Sequence, residues 1–253
     1  MKMDLNSDIG ESYGVYSIGN DDGLMPHITS ANIACGFHGG DPMVMQRTVA
    51  RAKAHGIGIG AHPGYPDLSG FGRRVLKMSE SEIESMILYQ IGALAAFTRA
   101  QGAQLRHVKP HGALYNFAAQ DMPTAKAIAR AVTRFDSKLI LVGLANSLLI
   151  DAANEFGLRA AREGFIDRAY TSSGTLLPRT EAGAVVSSAA RAVQVAIQLM
   201  REGTVRTIDG KLLELQVDTL CIHGDTPHAV DIARAVHEAL RAEGIELVPM
   251  LNE

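Results

Sequence analysis

Short apolar runs alternate along the chain with longer stretches in which apolar residues recur every three or four positions. The runs at residues 2–6, 30–35, 57–61, 106–109, 139–143, 158–162 and 217–222 have the length and near-continuous apolarity of strands buried on both faces. The intervening stretches have helical period. Residues 42–55 set Val44, Met45, Thr48, Val49 and Ala52 on one face and Arg47, Arg51 and Lys53 elsewhere. Residues 79–101 open on Ser79-Glu80-Ser81-Glu82, where Ser79 or Ser81 serves as the cap and acid fills the first turn. The same period predicts helices over 122–134, 146–156, 183–202 and 226–242. Gly56, Gly102, Gly157, Gly203 and Gly244 stand where helices end.

Strand–helix units in steady alternation imply a parallel sheet. Residues 1–253 read as one domain without repeat, linker or low-complexity tract, and the predicted class is α/β. The leading architecture is a TIM-like (β/α) barrel of about seven parallel strands. A doubly wound open sheet is the alternative. Residues 204–216 break the pattern, and Asp209-Gly210 between alternating residues predicts a small hairpin inserted before the last barrel strand. With 47% hydrophobic residues there is ample material for a core, while a net charge of −3 and the lack of any Lys/Arg run argue against nucleic acid or a basic membrane face. No stretch approaches the ~18 to 20 apolar residues of a membrane span, and the N-terminus lacks a hydrophobic signal segment. Cys35 and Cys221 sit in apolar runs without disulfide or zinc spacing, so free buried thiols and a cytoplasmic location are expected.

Titratable groups gather at the strand exits. Asp4-Leu5-Asn6-Ser7-Asp8-Ile9-Gly10-Glu11 carries carboxylates, and four later stretches put a histidine where an apolar run meets Gly or Pro. These are Gly36-Phe37-His38-Gly39-Gly40-Asp41-Pro42, Gly60-Ala61-His62-Pro63-Gly64, Val108-Lys109-Pro110-His111-Gly112 and Cys221-Ile222-His223-Gly224-Asp225. A buried charge must be paired or have a task, and the carboxyl ends of parallel strands converge on one face, so the pattern marks a site, with catalysis as its reading. Several members also have structural readings. Asp41-Pro42 fits a helix cap followed by Pro at the first helical position. Arg73 and Arg74, closing the long glycine-rich loop after His62, suit forked capture of a carboxylate or phosphate, or are solvated charges. Lys109 is an anion binder, a base where burial depresses its pKa, or the partner of a carboxylate. In Glu163-Gly164-Phe165-Ile166-Asp167-Arg168 the adjacent Asp and Arg also read as an ion pair. Gly56, Gly58 and Gly60 lie before and within a strand, which points to close packing rather than a nucleotide loop, and there is no Walker motif. His27, His55, His107, His228 and His237 read as incidental. The rim inventory of Asp4, Asp8, Glu11, His38, Asp41, His62, Lys109, His111, Asp167, Arg168, His223 and Asp225 suits general acid–base hydrolysis, with or without a metal.

Taken in order, these motifs resemble the LamB/YcsF family, the A subunits of prokaryotic 5-oxoprolinase. The matching stretches are Asp4-Leu5-Asn6 with Asp8, Gly10 and Glu11, then residues 31–42, 58–74, 108–116, 163–170 and 221–227. Ser7 stands where cysteine is usual in that family, Gly39 replaces an alanine and Ile166 a small residue, and no titratable group is lost. The resemblance implies a seven-stranded (β/α) barrel similar to polysaccharide deacetylases. It also implies ATP-dependent opening of 5-oxo-L-proline to L-glutamate together with subunits B and C, with ATP and Mg as co-substrate. On that reading the catalytic candidates are Asp8, Glu11, His38, Asp41, His62, Lys109, His111, Asp167, His223 and Asp225, with Asn6, Arg73, Arg74 and Arg168 binding substrate. Two alternatives stay open. One is a stand-alone metal-dependent deacetylase or amidohydrolase with a divalent ion near Asp8, His38 and His62, although no tight ligand spacing demands one. The other is a lactam-binding subunit without catalysis.

Overall fold

The computed structural model describes residues 1–226 and 228–250. In chain order the strands are β1 (Lys2–Ile9), β2 (Ser30–Ala34), β3 (Gly58–His62), β4 (Leu105–Val108), β5 (Ile140–Leu144), β6 (Ala160–Phe165), β7 (Thr204–Arg206), β8 (Leu212–Glu214), β9 (Thr219–His223) and β10 (Glu246–Leu247). The strands β1 to β6 and then β9 pair in parallel, each with the next, and β9 pairs back onto β1. Seven strands therefore close a barrel, as the alternating pattern predicts, and the open doubly wound sheet is excluded. Helices α1 (Asp21–Leu24), α2 (Pro42–Ala54), α3 (Glu80–Ala100), α4 (Gly112–Ala118), α5 (Met122–Phe135), α6 (Leu148–Glu155), α7 (Ala189–Glu202) and α8 (Ala229–Ala242) fill the connections. β7 and β8 pair antiparallel around Asp209-Gly210.

Period-two alternation decides which side chains fill the barrel. On β1, Leu5 and Ile9 face outward and join Ile33, Ile59, Val108, Leu141 and Leu220 in the core beneath the helices. Asp4, Asn6 and Asp8 face inward and are stacked along the axis. Around Asn6 lies a closed polar layer. Asn6 Nδ2 donates to Thr219 Oγ1 at 2.7 Å, and Asn32 Nδ2 donates to Asn6 Oδ1 at 2.7 Å and to Asp8 Oδ1 at 2.8 Å. His107 Nε2 lies 2.7 Å from Asn32 Oδ1. Gly60 makes room for that imidazole, since a Cβ there would overlap the ring. The glycines of β3 are thus close-packing residues, whereas His107 is a structural member of the barrel interior.

Several predicted boundaries move, each for a local reason. β1 continues to Ile9, beyond residue 6, because the upper interior is polar and accepts Ser7 and Asp8 inside the ladder. The helix expected from residue 183 starts only at Ala189, capped by Ser188. The chain before it folds back over the barrel mouth through bridges between Arg168 and Val185 and between Tyr170 and Leu176. The last helix begins at Ala229 rather than 226, and residue 227 of the predicted span lies outside the described residues. The two-residue β10, hydrogen-bonded to the start of β1, and the short α4 escaped the periodicity altogether. Cys35 and Cys221 are buried free thiols. No helix among the described residues is long and apolar enough to cross a membrane.

Candidate active site

At the carboxyl ends of β1, β4 and β6 the inward positions converge on one ammonium group. Lys109 Nζ lies 2.8 Å from Asp8 Oδ1 and 2.9 Å from Glu163 Oε1, with Cys221 Sγ at 3.1 Å and Asn6 Oδ1 at 3.4 Å. Tyr115 completes the set by donating its hydroxyl to Glu163 Oε2 at 2.7 Å. Burial alone would lower the Lys109 pKa, but Asp8 and Glu163 outweigh it and hold the amine well above its usual range. Lys109 is therefore an ammonium at neutral pH, and the reading of it as a base with a depressed pKa is excluded. Asp8 is the converse: burial would raise it, yet His62 and Lys109 keep its carboxyl well below the usual carboxylate range.

Beside this group, four consecutive strand ends contribute a second cluster. Glu11 follows β1, His38 follows β2, His62 ends β3 and His111 is the cap residue before α4. His38 Nε2 is 3.2 Å from Glu11 Oε1, His111 Nδ1 is 3.4 Å from the same oxygen, and His62 Nε2 is 3.0 Å from His111 Nδ1. The rings of His38 and His111 stack in parallel with centroids 3.6 Å apart. Burial and the neighbouring imidazoles push the pKa values of His38 and His111 well below the usual imidazole range. Burial, then Asp8 and Asp225, push Glu11 well above the carboxylate range. One donor atom from each of these residues lies within 4.8 Å of the others, so the set has the composition and spacing to hold a divalent ion.

The third group is an imidazole held by a buried carboxylate. Asp167 accepts from His223 Nδ1 at 3.0 Å, from the His223 backbone N–H at 2.9 Å and from Thr226 Oγ1 at 2.8 Å. Burial opposes its ionisation, but the His223 ring and these hydrogen bonds keep its pKa low. Asp167 thus pairs with His223 across the barrel, and not with its chain neighbour Arg168. Arg168 instead donates to the carbonyls of Leu177 and Ala184. Burial and then Arg179 lower its pKa to about 10, which still leaves a cation at neutral pH.

These groups open into one cavity of about 570 Å3, whose floor includes Asp8, His62, Lys109, His111, Phe165 and His223. Arg168 lines its wall, and Arg73 and Arg179 stand at its mouth. Asp225 ties both of the latter, so it positions arginines instead of facing the floor. The Arg73 guanidinium also lies over Phe71, 4.9 Å from the ring centroid.

Four sequence candidates belong elsewhere. Asp41 caps α2 by accepting from Met43 N at 2.8 Å and Val44 N at 3.1 Å, and it also accepts from Gly14 N at 2.7 Å. Arg74 is exposed, paired with Asp67 and outside the cavity lining. Asp4 lies at the opposite end of the barrel, bonded to Ser30, Thr29 and Thr219. Asn6 is sealed in the polar layer beneath Asp8 and touches no open space. The residues missed by sequence reasoning are Glu163, Asn32, Tyr115 and Phe165. The signal that could have found two of them was the two-residue period of β6, which sets Glu163 and Phe165 on the same face as Ala161.

Fold and site together define a seven-stranded (β/α) barrel protein with a dense titratable centre at the carboxyl ends of its strands, where such barrels carry their chemistry. The family model for the LamB/YcsF family matches residues 3–253, and the chain belongs to that family. The A subunit of 5-oxoprolinase from Pyrococcus furiosus is 50% identical over 250 residues, covering 99% of this chain and 98% of that protein. The crystal structure of a lactam utilization protein from Thermus thermophilus is similar with a TM-score of 0.93 and 48% identity, covering 99% of this chain and 100% of that one. A polysaccharide deacetylase from Bacillus cereus shares the fold alone, with a TM-score of 0.50 and 12% identity over 99% of this chain and 93% of its own.

Proposed function

We propose that this chain is the lactam-opening component of an ATP-dependent 5-oxoprolinase, acting on 5-oxo-L-proline with partner subunits B and C. The observation that carries this reading is the buried Lys109 ammonium on the cavity floor, compensated by Asp8 and Glu163, with the Asp167-held His223 on the same floor. A lactam carbonyl resists water at neutral pH, and activation of its oxygen by ATP makes its carbon electrophilic. Lys109 then offers a fixed positive charge where negative charge develops on that oxygen or on a transferred phosphoryl group. Asp167 accepts from His223 Nδ1, which leaves Nε2 as the nitrogen that exchanges protons with water or with the departing ring nitrogen. Arg73, Arg168 and Arg179 provide the cationic mouth and wall suited to the substrate carboxylate and to phosphate. The names of the Pyrococcus and Thermus relatives support the lactam as substrate. ATP and its Mg are assigned to the assembled complex, because this chain has no Walker motif.

The test is glutamate release from 5-oxoproline and ATP, measured with this protein alone, with the partner subunits by themselves and with all together. The reading requires turnover only in the complete mixture, and its loss on Lys109→Met or His223→Asn with assembly intact. Turnover by this chain alone without ATP would replace it with a stand-alone amidohydrolase.

A further inference from the structure

We propose that Glu11, His38, His62 and His111 form a closed, four-coordinate site for a zinc-class divalent ion, tying together the loops after four consecutive barrel strands. The argument rests on hydrogen-bond inventory. His62 Nδ1 lies 2.8 Å from the Lys109 carbonyl oxygen, and His111 Nε2 lies 2.8 Å from the Phe71 carbonyl oxygen. A carbonyl only accepts, so both of those nitrogens carry the ring proton. In the neutral rings the lone pairs of His62 Nε2 and His111 Nδ1 then face each other across 3.0 Å. Glu11 Oε1, 3.4 Å from His111 Nδ1, brings a further lone pair to the same point. Lone pairs converge there with nothing positive between them, and a cation resolves the conflict.

The spacing matches such an ion. Tetrahedral Zn2+ with bonds of roughly 2.0–2.1 Å sets its donors about 3.3 Å apart. The observed separations are 3.2 Å between His38 and Glu11, 3.4 Å between His111 and Glu11, and 3.0 Å between His62 and His111. All four donor atoms lie within 4.8 Å of one another. The carbonyls of Lys109 and Phe71 are the outer partners that fix ring orientation in metal-binding histidines. His38 Nδ1, buried and without a partner, takes the ring proton when Nε2 becomes a ligand. Three imidazoles with one carboxylate favour zinc over magnesium or calcium, which prefer all-oxygen shells. Four protein ligands leave no open position, so the ion is structural: it fixes His62 and His111 at the cavity floor and places positive charge beneath it.

The test uses the full chain, stripped with a chelator and titrated with Zn2+ and with Co2+. Elemental analysis of the untreated protein should find about one zinc-class ion per chain. Co2+ should bind stoichiometrically with the intense visible absorption of a tetrahedral site, and Zn2+ should raise the melting temperature. Glu11→Gln and His111→Ala should weaken Co2+ binding by more than the ~10–100-fold that outer partners contribute. Asp41→Ala, outside the cluster, should bind as the parent does. Circular dichroism of the variants separates lost ligation from lost folding. If the folded parent binds no ion stoichiometrically, or binds it undiminished in folded Glu11→Gln, the site is refuted and a proton shared between His62 and His111 resolves the lone pairs instead.

Discussion

At the scale of single residues, the site separates by what holds each polar group. Lys109 is ionised because two carboxylates face it, whereas the orientation of the His223 ring is set by Asp167. Asp167→Asn keeps the shape but offers an amide in place of an acceptor-only carboxylate, which disturbs the tautomer. The expected outcome is a fall in kcat of about 10^2- to 10^4-fold with little change in KM, measured as glutamate release by the assembled complex. Asp4 makes a different prediction, at the far end of the barrel from the chemistry. Burial pushes its carboxyl up to about 6 from an ordinary 3.8, against the opposing hydrogen bonds of Ser30, Thr219 and Thr29. The folded state therefore holds this proton more tightly than the unfolded chain. The stability it contributes is fully present below pH 3.8, is lost as pH rises through 6, and amounts to about 3 kcal/mol. Asp4→Asn cannot titrate, so the melting temperature of the variant minus that of the parent should climb between pH 4 and pH 7 and level off above. A difference that stays flat with pH would refute the assignment.

At the scale of elements, the sequence period read the scaffold well because a parallel barrel buries each strand on both sides. Where the interior is polar the signal failed. Ser7 and Asp8 belong to β1, and Glu163 to β6, yet polar residues end an apolar run by eye. Lys109 was legible as chemistry, but its two partners lie 101 and 54 positions away, and only barrel register puts them beside it. His107 was set aside for the same reason, since only the glycine at position 60 of the neighbouring strand opens its place in the polar layer. Asp41 shows the converse, a helix signal that was correct and sufficient. Its carboxylate caps α2 and also holds the Gly14 amide. Asp41→Ala should cost about 1 kcal/mol, in the range of 0.5–2 typical of lost caps. In a chain of this size that is roughly 2–4 °C in melting temperature. The complex should keep its turnover, because Asp41 touches neither cavity nor cluster. A loss of turnover with unchanged stability would return Asp41 to the catalytic set.

At the scale of the whole molecule, the two ends of the barrel are built for different tasks. The carboxyl end gathers Asp8, Glu11, Lys109, Glu163, Asp167 and three buried histidines in a small volume, an arrangement that opposes folding through desolvation wherever pairing is incomplete. The amino end must supply stability without sharing in that chemistry. It does so through the segment after α8: Glu246 N donates to the Met1 carbonyl and Val248 N to the Met3 carbonyl, each at 2.9 Å. Met250 then packs against Ile140, Val142 and Ala161 and closes the lower interior. Met250→Ala opens a cavity in that plug and should cost about 2–5 kcal/mol. The same substitution should leave KM and the pH profile of the remaining folded protein unchanged, since the plug and the floor of the cavity are separated by the Asn6, Asn32 and His107 layer. Thermal denaturation and steady-state kinetics on one preparation test both halves together. If KM moved along with stability, that polar layer would be transmitting strain along the axis, and the barrel would work as one mechanical unit instead of a stable base beneath a reactive rim.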